Sequence, residues 1–532
     1  MNKNLKRWKK TKVNYINWLS NTPLRLIFSK SIKIDEFSLW WVTKLVDKNI
    51  MTDNKWYYQL NSVLNNEKIV LKKNFLLFFY FIIKLIKKII SNIIGVILVK
   101  FIYIKKNKNL SKINCFYSHE MNIIPFKKIY LDRQYGIATT KNKKKSCYLI
   151  NFEHNPNIIF KFLKRKNKLS KLPLHYFILN KYVSLGDVLK VYFFTICLLV
   201  KLLYILRKKN YFIIKNKDCS LILKPLLIES FCGHIQNSLI HAIAIKNFFK
   251  KENYKNFITY GEFFSGWRSV YYFAKKNKFV PKIIYINHGI YSENNLSYVL
   301  KKDEFDKNDN GLFYSPKPDV FLTQGIRYFK RLKKIFPYKK VYPIGSFKYE
   351  LANYKFNKPM VKKYLNKIKT IRNKKKIIAI CTAINDETNI INFLNKCNLE
   401  NFLIILCPHP YFVETSNLIF KKNFNYKFEI MKNFSTREIA SAANCVVTGM
   451  SAVGLEFLIK GVNVLKVVDD LTTPLQEMDD GIPTISNYVK LNRYLQKKPY
   501  FSKSFLKQVK ENFFYKFDNK TSVRFWKILD TI

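Results

Sequence analysis

The chain has 532 residues, 48% of them hydrophobic and 16% aromatic, which excludes a disordered chain and predicts two or three folded domains. Its formal charge of +60 is typical of proteins that bind nucleic acid or an anionic membrane. However, Lys, Asn, Ile, Phe and Tyr are all abundant and all read from A/T-rich codons, so most lysines are interpreted as solvated surface. The nine cysteines form no C-x-x-C pair, which argues against a zinc ribbon or a disulfide framework and favours a reduced cytoplasmic setting.

Residues 1–145 form an N-terminal region in which no repeat is visible. Its opening segment, "MNKNLKRWKKTKVNYINWLS", is basic but lacks the continuous apolar core of a signal peptide. Residues 75–106 are strongly apolar, yet their longest charge-free run, 89–99, is too short to span a bilayer. The polar residues there recur at helical spacing on one stripe: Lys84, Lys87, Lys88, Ser91, Asn92 and Gly95. The region is therefore predicted to contain an amphipathic helix.

A second segment of the same kind, 187–209, is inserted in the next domain. Lys190, Cys197, Lys201, Tyr204 and Lys208 share one face of the predicted helix. Basic, amphipathic and rich in Phe and Leu, both segments are typical of helices that lie in the plane of a membrane interface. Docking on the protein's own core fits about as well, and a transmembrane span fits less well. We expect peripheral association with the anionic inner face of the cell membrane.

The middle of the chain, 146–347, is predicted to be a first Rossmann-like domain. Short apolar runs alternate there with helical patterns, including "NFITY", "KIIYIN", "DVFLT" and "KVYPIG". A lysine- and asparagine-rich stretch, 348–375, is the predicted linker to the next domain.

Residues 376–500 alternate more cleanly and are predicted to be a second Rossmann-like domain. The predicted strands are "KIIAICTAI", "FLIILC", "KFEIM", "CVVT" and "VNVLKV". Residues 501–532 are interpreted as closing helices. The fold class is therefore α/β, with two doubly wound parallel sheets following a partly helical N-terminal region.

In such sheets, ligands bind beyond the carboxyl ends of the strands, so the residues that follow strands are the candidate site. Thr448, Gly449 and Ser451 form the turn after "CVVT", and Gly461 ends the next helix. By themselves they are explained equally well as turn glycines and a helix cap. His409 and Pro410 follow "FLIILC" in the same way, and proline holds the preceding histidine away from helical geometry. Together, these two loops could hold a nucleotide phosphate.

The first domain offers two candidates for a general base. His288 follows the strand "KIIYIN", and Glu262 follows "NFITY". A carboxylate or an imidazole facing a bound nucleotide across a cleft is suited to general-base chemistry. Glu262 is equally well explained as an acidic residue at a helix start.

This order of motifs resembles the GT-B glycosyltransferases, above all the sialyltransferase-like and Kdo-transferase-like enzymes of bacterial surface-carbohydrate (capsule and lipopolysaccharide) biosynthesis. "FSLWWVTKLVDKN" near the N-terminus is similar to the opening of such a family. The resemblance implies that His409 and Pro410, with Thr448, Gly449, Ser451 and Glu456, bind the nucleotide of a CMP-sugar donor. It also implies sugar transfer to a membrane-linked glycan acceptor.

Polymerases that use CDP-glycerol are similar in motif order too, with His288, His409, Ser451 and the acidic stretch 469–481. That resemblance implies that His288, rather than Glu262, is the base.

Two further classes stay open at this point. A nucleotide-sugar epimerase of the same fold would turn over a UDP-sugar without an acceptor. A basic nucleic-acid-binding protein would carry exposed aromatics on a known binding module, and none is found. No metal-binding cluster is visible, so the expected chemistry needs no metal and no cofactor besides the nucleotide-sugar substrate.

Overall fold

The computed structural model describes most of the chain. The described residues are 3–47, 54–67, 76–101, 113–126, 128–140, 145–152, 169, 171–261, 263, 265–277, 281–289, 291, 299–305, 314–337, 339–351, 358–371, 373–374, 376–383, 386–409, 413–430, 436–449, 451, 453–459, 461–467, 484–485, 494 and 501–532.

The strands in these ranges are β1 (Lys33–Ile34), β2 (Phe37–Ser38), β3 (Asn114–His119), β4 (Ile123–Phe126), β5 (Ile129–Asp132), β6 (Ser146–Asn151), β7 (His175–Ile178), β8 (Ile213–Ile214), β9 (Lys217–Asp218), β10 (Asn256–Thr259), β11 (Lys282–Ile286), β12 (Val320–Thr323), β13 (Lys340–Pro343), β14 (Lys376–Cys381), β15 (Phe402–Cys407), β16 (Phe428–Glu429), β17 (Cys445–Thr448), β18 (Val464–Val467) and β19 (Thr484–Ile485).

The α-helices are α1 (Lys3–Asn21), α2 (Leu24–Ser31), α3 (Asn54–Leu64), α4 (Leu76–Lys100), α5 (Leu185–Lys208), α6 (Ser220–Glu229), α7 (Ile235–Lys251), α8 (Ser265–Ala274), α9 (Ile326–Ile335), α10 (Phe347–Leu351), α11 (Lys358–Ile371), α12 (Glu387–Leu394), α13 (Val413–Asn423), α14 (Thr436–Ala442), α15 (Val453–Leu458), α16 (Lys503–Phe514) and α17 (Thr521–Thr531). A π-helical kink, Ser230–His234, joins α6 to α7.

The first domain is built on a seven-stranded parallel sheet with the order β13-β12-β11-β10-β3-β6-β7. The chain runs outward from β3 through β6 to β7, then returns to add β10 to β13 on the other side. The strand order therefore reverses between β3 and β10. The sheet begins at Asn114, on the N-terminal side of the predicted domain boundary at residue 146, because β3 pairs along its whole length with β6.

The second domain is built on a six-stranded parallel sheet with the order β16-β15-β14-β17-β18-β19. Its strand order reverses between β14 and β17. Separate clusters of buried side chains lie on the two faces of this sheet. The predicted α/β class, with two Rossmann-like domains, is confirmed by these two sheets. Between them, the stretch predicted as a linker holds most of α10 and all of α11.

The last two helices, within the predicted closing segment 501–532, return to the first domain. The Trp526 indole Nε1 donates a hydrogen bond to the Ala138 carbonyl, 3.1 Å away. The Thr521 hydroxyl donates to the buried Glu350 carboxylate at 2.6 Å, which fixes the start of α17 on α10. A side chain at Gly325 would meet the Asn512 carbonyl of α16, so α9 and α16 pack in close contact there. The chain end therefore packs against the first domain, while Val509, Phe513 and Phe514 of α16 also join a buried cluster of the second sheet.

Candidate functional site

The candidate residues lie at the two places where strand order reverses, or one strand away from them. In the first sheet, His119 ends β3, while Tyr260 and His288 follow the neighbouring strands β10 and β11. In the second, Thr382 and His409 follow β14 and β15, while the glycine turn follows β17. All strands in each sheet are parallel, so their carboxyl ends lie at one edge, and ligands of open α/β sheets bind at such reversal points.

His288 is held in one tautomer by the backbone of the neighbouring strand end. Its Nδ1 lies 2.9 Å from the Tyr260 carbonyl oxygen, and a carbonyl only accepts, so Nδ1 carries the proton. Burial lowers the pKa of His288 to about 4, and the positive charge of Lys348 adds to the shift. The ring is therefore neutral at pH 7, with the lone pair on Nε2. A neutral imidazole of this kind is suited to accept a proton.

A hydrogen-bonded chain connects this support to Arg133. The Tyr260 hydroxyl accepts from the Asn122 amide and from the His119 backbone N–H, each at 2.7 Å. The amide oxygen of Asn122 accepts from Arg133 Nε at 2.8 Å. This hydrogen bond orients the Arg133 guanidinium through its Nε. The sequence reading did not single out Arg133.

His409 lies in the same electrostatic environment as His288, although it belongs to the other domain. Burial lowers the pKa of His409 first, followed by the charges of Arg133 and Lys348, while Glu387 opposes them. The same two cations act on His288. Two histidines, one from each domain, are therefore close enough to the same two cations to be influenced by both, and the space between these four residues is called the cleft below. An anionic ligand between the domains would meet both cations.

The turn at residues 448–451 is more tightly packed against neighbouring side chains than its sequence alone indicates. Thr448 is fully buried, and its hydroxyl makes no hydrogen bond within the described part of the chain. Gly449 lies against Asp386: a Cβ atom there would overlap Asp386 Oδ2 and stand 3.0 Å from its Cγ. Since the φ of Gly449 is not positive, glycine is required here for space rather than for a left-handed turn. Ser451 is partly exposed and precedes α15, which begins at Val453.

The two remaining predicted features of this segment lie apart from the cleft surface. Gly461 has φ +74°, and its N–H donates to the Leu458 carbonyl at 3.0 Å, as expected of a glycine that ends a helix. Glu456 is 2% exposed on α15, where its charge acts on the buried Cys381 thiol. Glu456 is therefore buried, and the donor role stated for it stays a prediction.

Two predicted residues, Glu262 and Pro410, lie outside the described residues, as does the acidic stretch 469–481. Their roles also stay predictions.

Sequence reasoning missed four residues that the fold brings to this cleft or directly behind it: Arg133, Lys348, Tyr260 and Asp386. Arg133 follows the short strand β5, and Lys348 falls at the start of the predicted linker. Neither belongs to a recognisable motif. Asp386, whose Oδ1 accepts from the Ala383 N–H at 2.8 Å, belongs to no motif that the sequence analysis singled out. Tyr260, the last residue of the predicted strand "NFITY", was counted as part of the strand rather than as a residue of the site.

Among the residues that the structure describes, no three His, Cys, Asp or Glu side chains come together to hold a metal ion. Metal-independent chemistry stays a prediction, because the acidic stretch 469–481 is not among them.

No protein-family model matches the chain, and no curated protein matches its sequence. Among solved structures, the chain is similar to the wall teichoic acid polymerase TagF, at 13% identity and a TM-score of 0.42, over 85% of this chain and 97% of that one. It is also similar to UDP-GlcNAc 2-epimerase from Neisseria meningitidis, at 11% identity and a TM-score of 0.41, over 79% and 99%. A third similar structure is MnaA of S. aureus with UDP, at 10% identity and a TM-score of 0.41, over 79% and 98%. At these levels the function must be argued from the site itself.

Proposed function

We propose that the protein is a glycosyltransferase of surface-polysaccharide biosynthesis that transfers a sugar from a CMP-sugar to a membrane-associated glycan. The observation that carries the proposal is the cleft itself: neutral His288 and His409 face it from opposite domains, under the charges of the same Arg133 and Lys348. A nucleotide donor supplies the negative phosphate that such a pair of cations favours.

Each group then has one role. Arg133 and Lys348 hold the donor phosphate, while His409 and the Ser451 hydroxyl orient it from the second domain. His288 Nε2 takes the proton of the acceptor hydroxyl as its oxygen attacks the anomeric carbon. The bond from that carbon to the phosphate oxygen breaks, and CMP leaves with the bonding electron pair. The cations stabilise the charge that grows on the departing phosphate.

A polyol-phosphate transferase using CDP-glycerol is the second candidate, and the geometry of His288 favours it. That resemblance makes His288 the base, and His288 is held as a neutral imidazole with the proton on Nδ1, so that Nε2 can accept a proton. In this reaction the acceptor oxygen attacks the outer phosphorus and the phosphoanhydride bond breaks. CMP is released in both reactions, so the product linkage, glycosidic or phosphodiester, distinguishes them.

The experiment is a thermal-shift screen of the purified protein against CMP, CDP, UDP, GDP and ADP. His409→Ala and Ser451→Ala run beside the parent, with Ser504→Ala of the C-terminal helix α16 as the matched control. A ligand at 100 times its dissociation constant adds about 2.7 kcal/mol to folded-state stability.

Stabilisation by CMP or CDP alone, reduced in both site variants but not in the control, supports the cytidine site. Incubation with CMP-sialic acid, CMP-Kdo or CDP-glycerol and a glycan acceptor then separates the two transfer reactions. Preference for UDP, with turnover of UDP-GlcNAc in the absence of acceptor, would identify an epimerase instead. No response to any nucleotide would overturn the proposal.

A further inference from the structure

The helices α4 and α5 present a broad apolar surface to the solvent. Their outward side chains include Ile83, Ile86 and Ile90 on α4 and Phe193 and Val200 on α5, with Phe193 74% exposed. Exposed apolar patches of this extent mark an interaction surface on a folded protein. The two helices pack on each other, so the patch is continuous.

The helix α4 packs with part of its polar stripe facing the rest of the protein. Asn92 is buried and donates to the Tyr192 hydroxyl at 2.8 Å and to Asn237 Oδ1 at 2.9 Å. Lys84 forms an ion pair with Glu229, and the stem of Lys88 lies against Gly233, where a side chain could not fit. These polar contacts leave the isoleucines outside. The isoleucine face of α4 therefore does not dock on the protein's own core.

The helix α5 is fixed along its length in the same region. Its buried residues extend from Val188 to Leu206, and the Gln236 amide donates to the buried Thr195 hydroxyl at 2.9 Å. By length and composition α5 could cross a membrane. A crossing helix, however, is surrounded by lipid or by other spanning segments, whereas one side of α5 packs on the first α/β domain. The helix therefore lies along the protein surface.

Charge identifies the partner. The two helices together carry eight Lys or Arg residues and a single acidic residue, Asp187. Lys87, Lys190 and Lys201 are exposed beside the apolar patch. Apolar side chains bordered by lysines match the interface of an anionic bilayer, where acyl chains lie below negatively charged headgroups.

We propose that α4 and α5 together form a docking surface for an anionic lipid bilayer, with both helices in the plane of the interface and their outward side chains inserted roughly 5–10 Å. This inference stands on the surface alone and does not depend on the proposed function.

The first test is co-sedimentation of the full chain with two kinds of vesicle, one of phosphatidylcholine alone and one of phosphatidylcholine mixed with phosphatidylglycerol. We expect tighter binding to the anionic vesicles and roughly a tenfold loss or more in a triple variant, Ile86→Gln, Phe193→Gln and Val200→Gln. The matched control replaces three apolar residues of comparable exposure elsewhere: Tyr364→Gln, Leu418→Gln and Val523→Gln. The affinity of this control for the vesicles should be within about twofold of that of the parent, since its three substitutions lie outside α4 and α5. Lys201→Gln should weaken binding to anionic vesicles by about fivefold.

The second test measures depth with a native residue. Cys197 on α5 is the one exposed cysteine among the nine, so a nitroxide label reaches it selectively. Oxygen and nickel accessibilities should place the label in the shallow interface, and a label at the bilayer centre would overturn the in-plane arrangement. Equal loss of binding in the triple variant and its control would overturn the surface itself. The proposal would also be overturned if the parent were a dimer that did not bind vesicles and the triple variant were a monomer. The patch would then join two copies of the chain.

Discussion

Replacing Gly449 with alanine tests the closest contact at the candidate site. The new methyl group would overlap Asp386 Oδ2 and stand 3.0 Å from its Cγ, shorter than an ordinary contact distance. Overpacking of this kind costs about 1–3 kcal/mol. The carboxylate could turn away only by giving up its 2.8 Å hydrogen bond from the Ala383 N–H, which costs about 1.5–3 kcal/mol. Either route gives a loss of about 2 kcal/mol.

Gly461 provides a matched comparison in the same segment, because glycine is favoured there by a left-handed backbone conformation rather than by lack of space. Its φ is +74°, but among the described residues no atom outside the glycine and its chain neighbours lies within 4 Å of the position that a Cβ would take. Alanine there should cost about 1–2 kcal/mol, and asparagine less, because asparagine tolerates the left-handed conformation. At Gly449 the order reverses: the larger asparagine should cost more than alanine.

Equilibrium unfolding in urea, followed by circular dichroism, measures these four variants. A double-mutant cycle with Asp386→Ala completes the experiment, since the cost of Gly449→Ala should shrink in that background. The crowding argument would be wrong if Gly449→Ala changed stability by less than about 0.5 kcal/mol, the range of an ordinary surface substitution. It would also be wrong if Gly449→Asn proved milder than alanine.

Three further outcomes follow from the site and its supports. Under the proposed function, Arg133→Ala should weaken nucleotide binding by about 10- to 100-fold in calorimetry, because it removes a charged hydrogen bond to the donor phosphate, whereas Lys340→Ala at the start of the edge strand β13 should not. The parent should lose stability as pH falls from about 6.5 to about 4, because His288 takes up a proton in the unfolded chain but stays neutral in the folded one. The urea midpoint of His288→Gln should change less with pH over this range. Identical pH profiles of the parent and the variant would contradict the lowered pKa. Thr521→Val should cost about 1.5–3 kcal/mol and speed protease cleavage of the C-terminal helices, because the buried Glu350 loses a hydrogen bond at 2.6 Å; unchanged cleavage would show that other contacts hold α17.

The sequence predicted the second domain well because its strands are short apolar runs bounded by turns. The strands "FLIILC" and "CVVT" appear with the predicted limits, Phe402–Cys407 and Cys445–Thr448. The strand Asn114–His119 was missed because it mixes polar and apolar residues without a clear period. It becomes a central strand only through pairing with β6 and β10, and β10 in particular lies far away in the chain.

The site was predictable as far as it follows strand ends. His288 and His409 each come just after a parallel strand, and that rule found them. Arg133 and Lys348 reach the cleft through tertiary packing, so no local pattern singles them out. The amphipathic stripe of residues 75–106 likewise showed that the helix has two faces. Which face meets the protein depended on partners such as Glu229 and Asn237, which lie far away in the chain.

Under the proposed function, the two cations at the cleft connect donor binding to the strength of His288 as a base. Besides burial, the charges of Lys348 and Arg133 keep the pKa of His288 low. Under the proposed function, the phosphate of a bound donor lies beside both cations and offsets their charge. The pKa of His288 then rises toward its ordinary value, and an imidazole with a higher pKa accepts a proton more readily. The base is therefore stronger when the donor is in place, so that removal of the acceptor proton accompanies a donor ready to react.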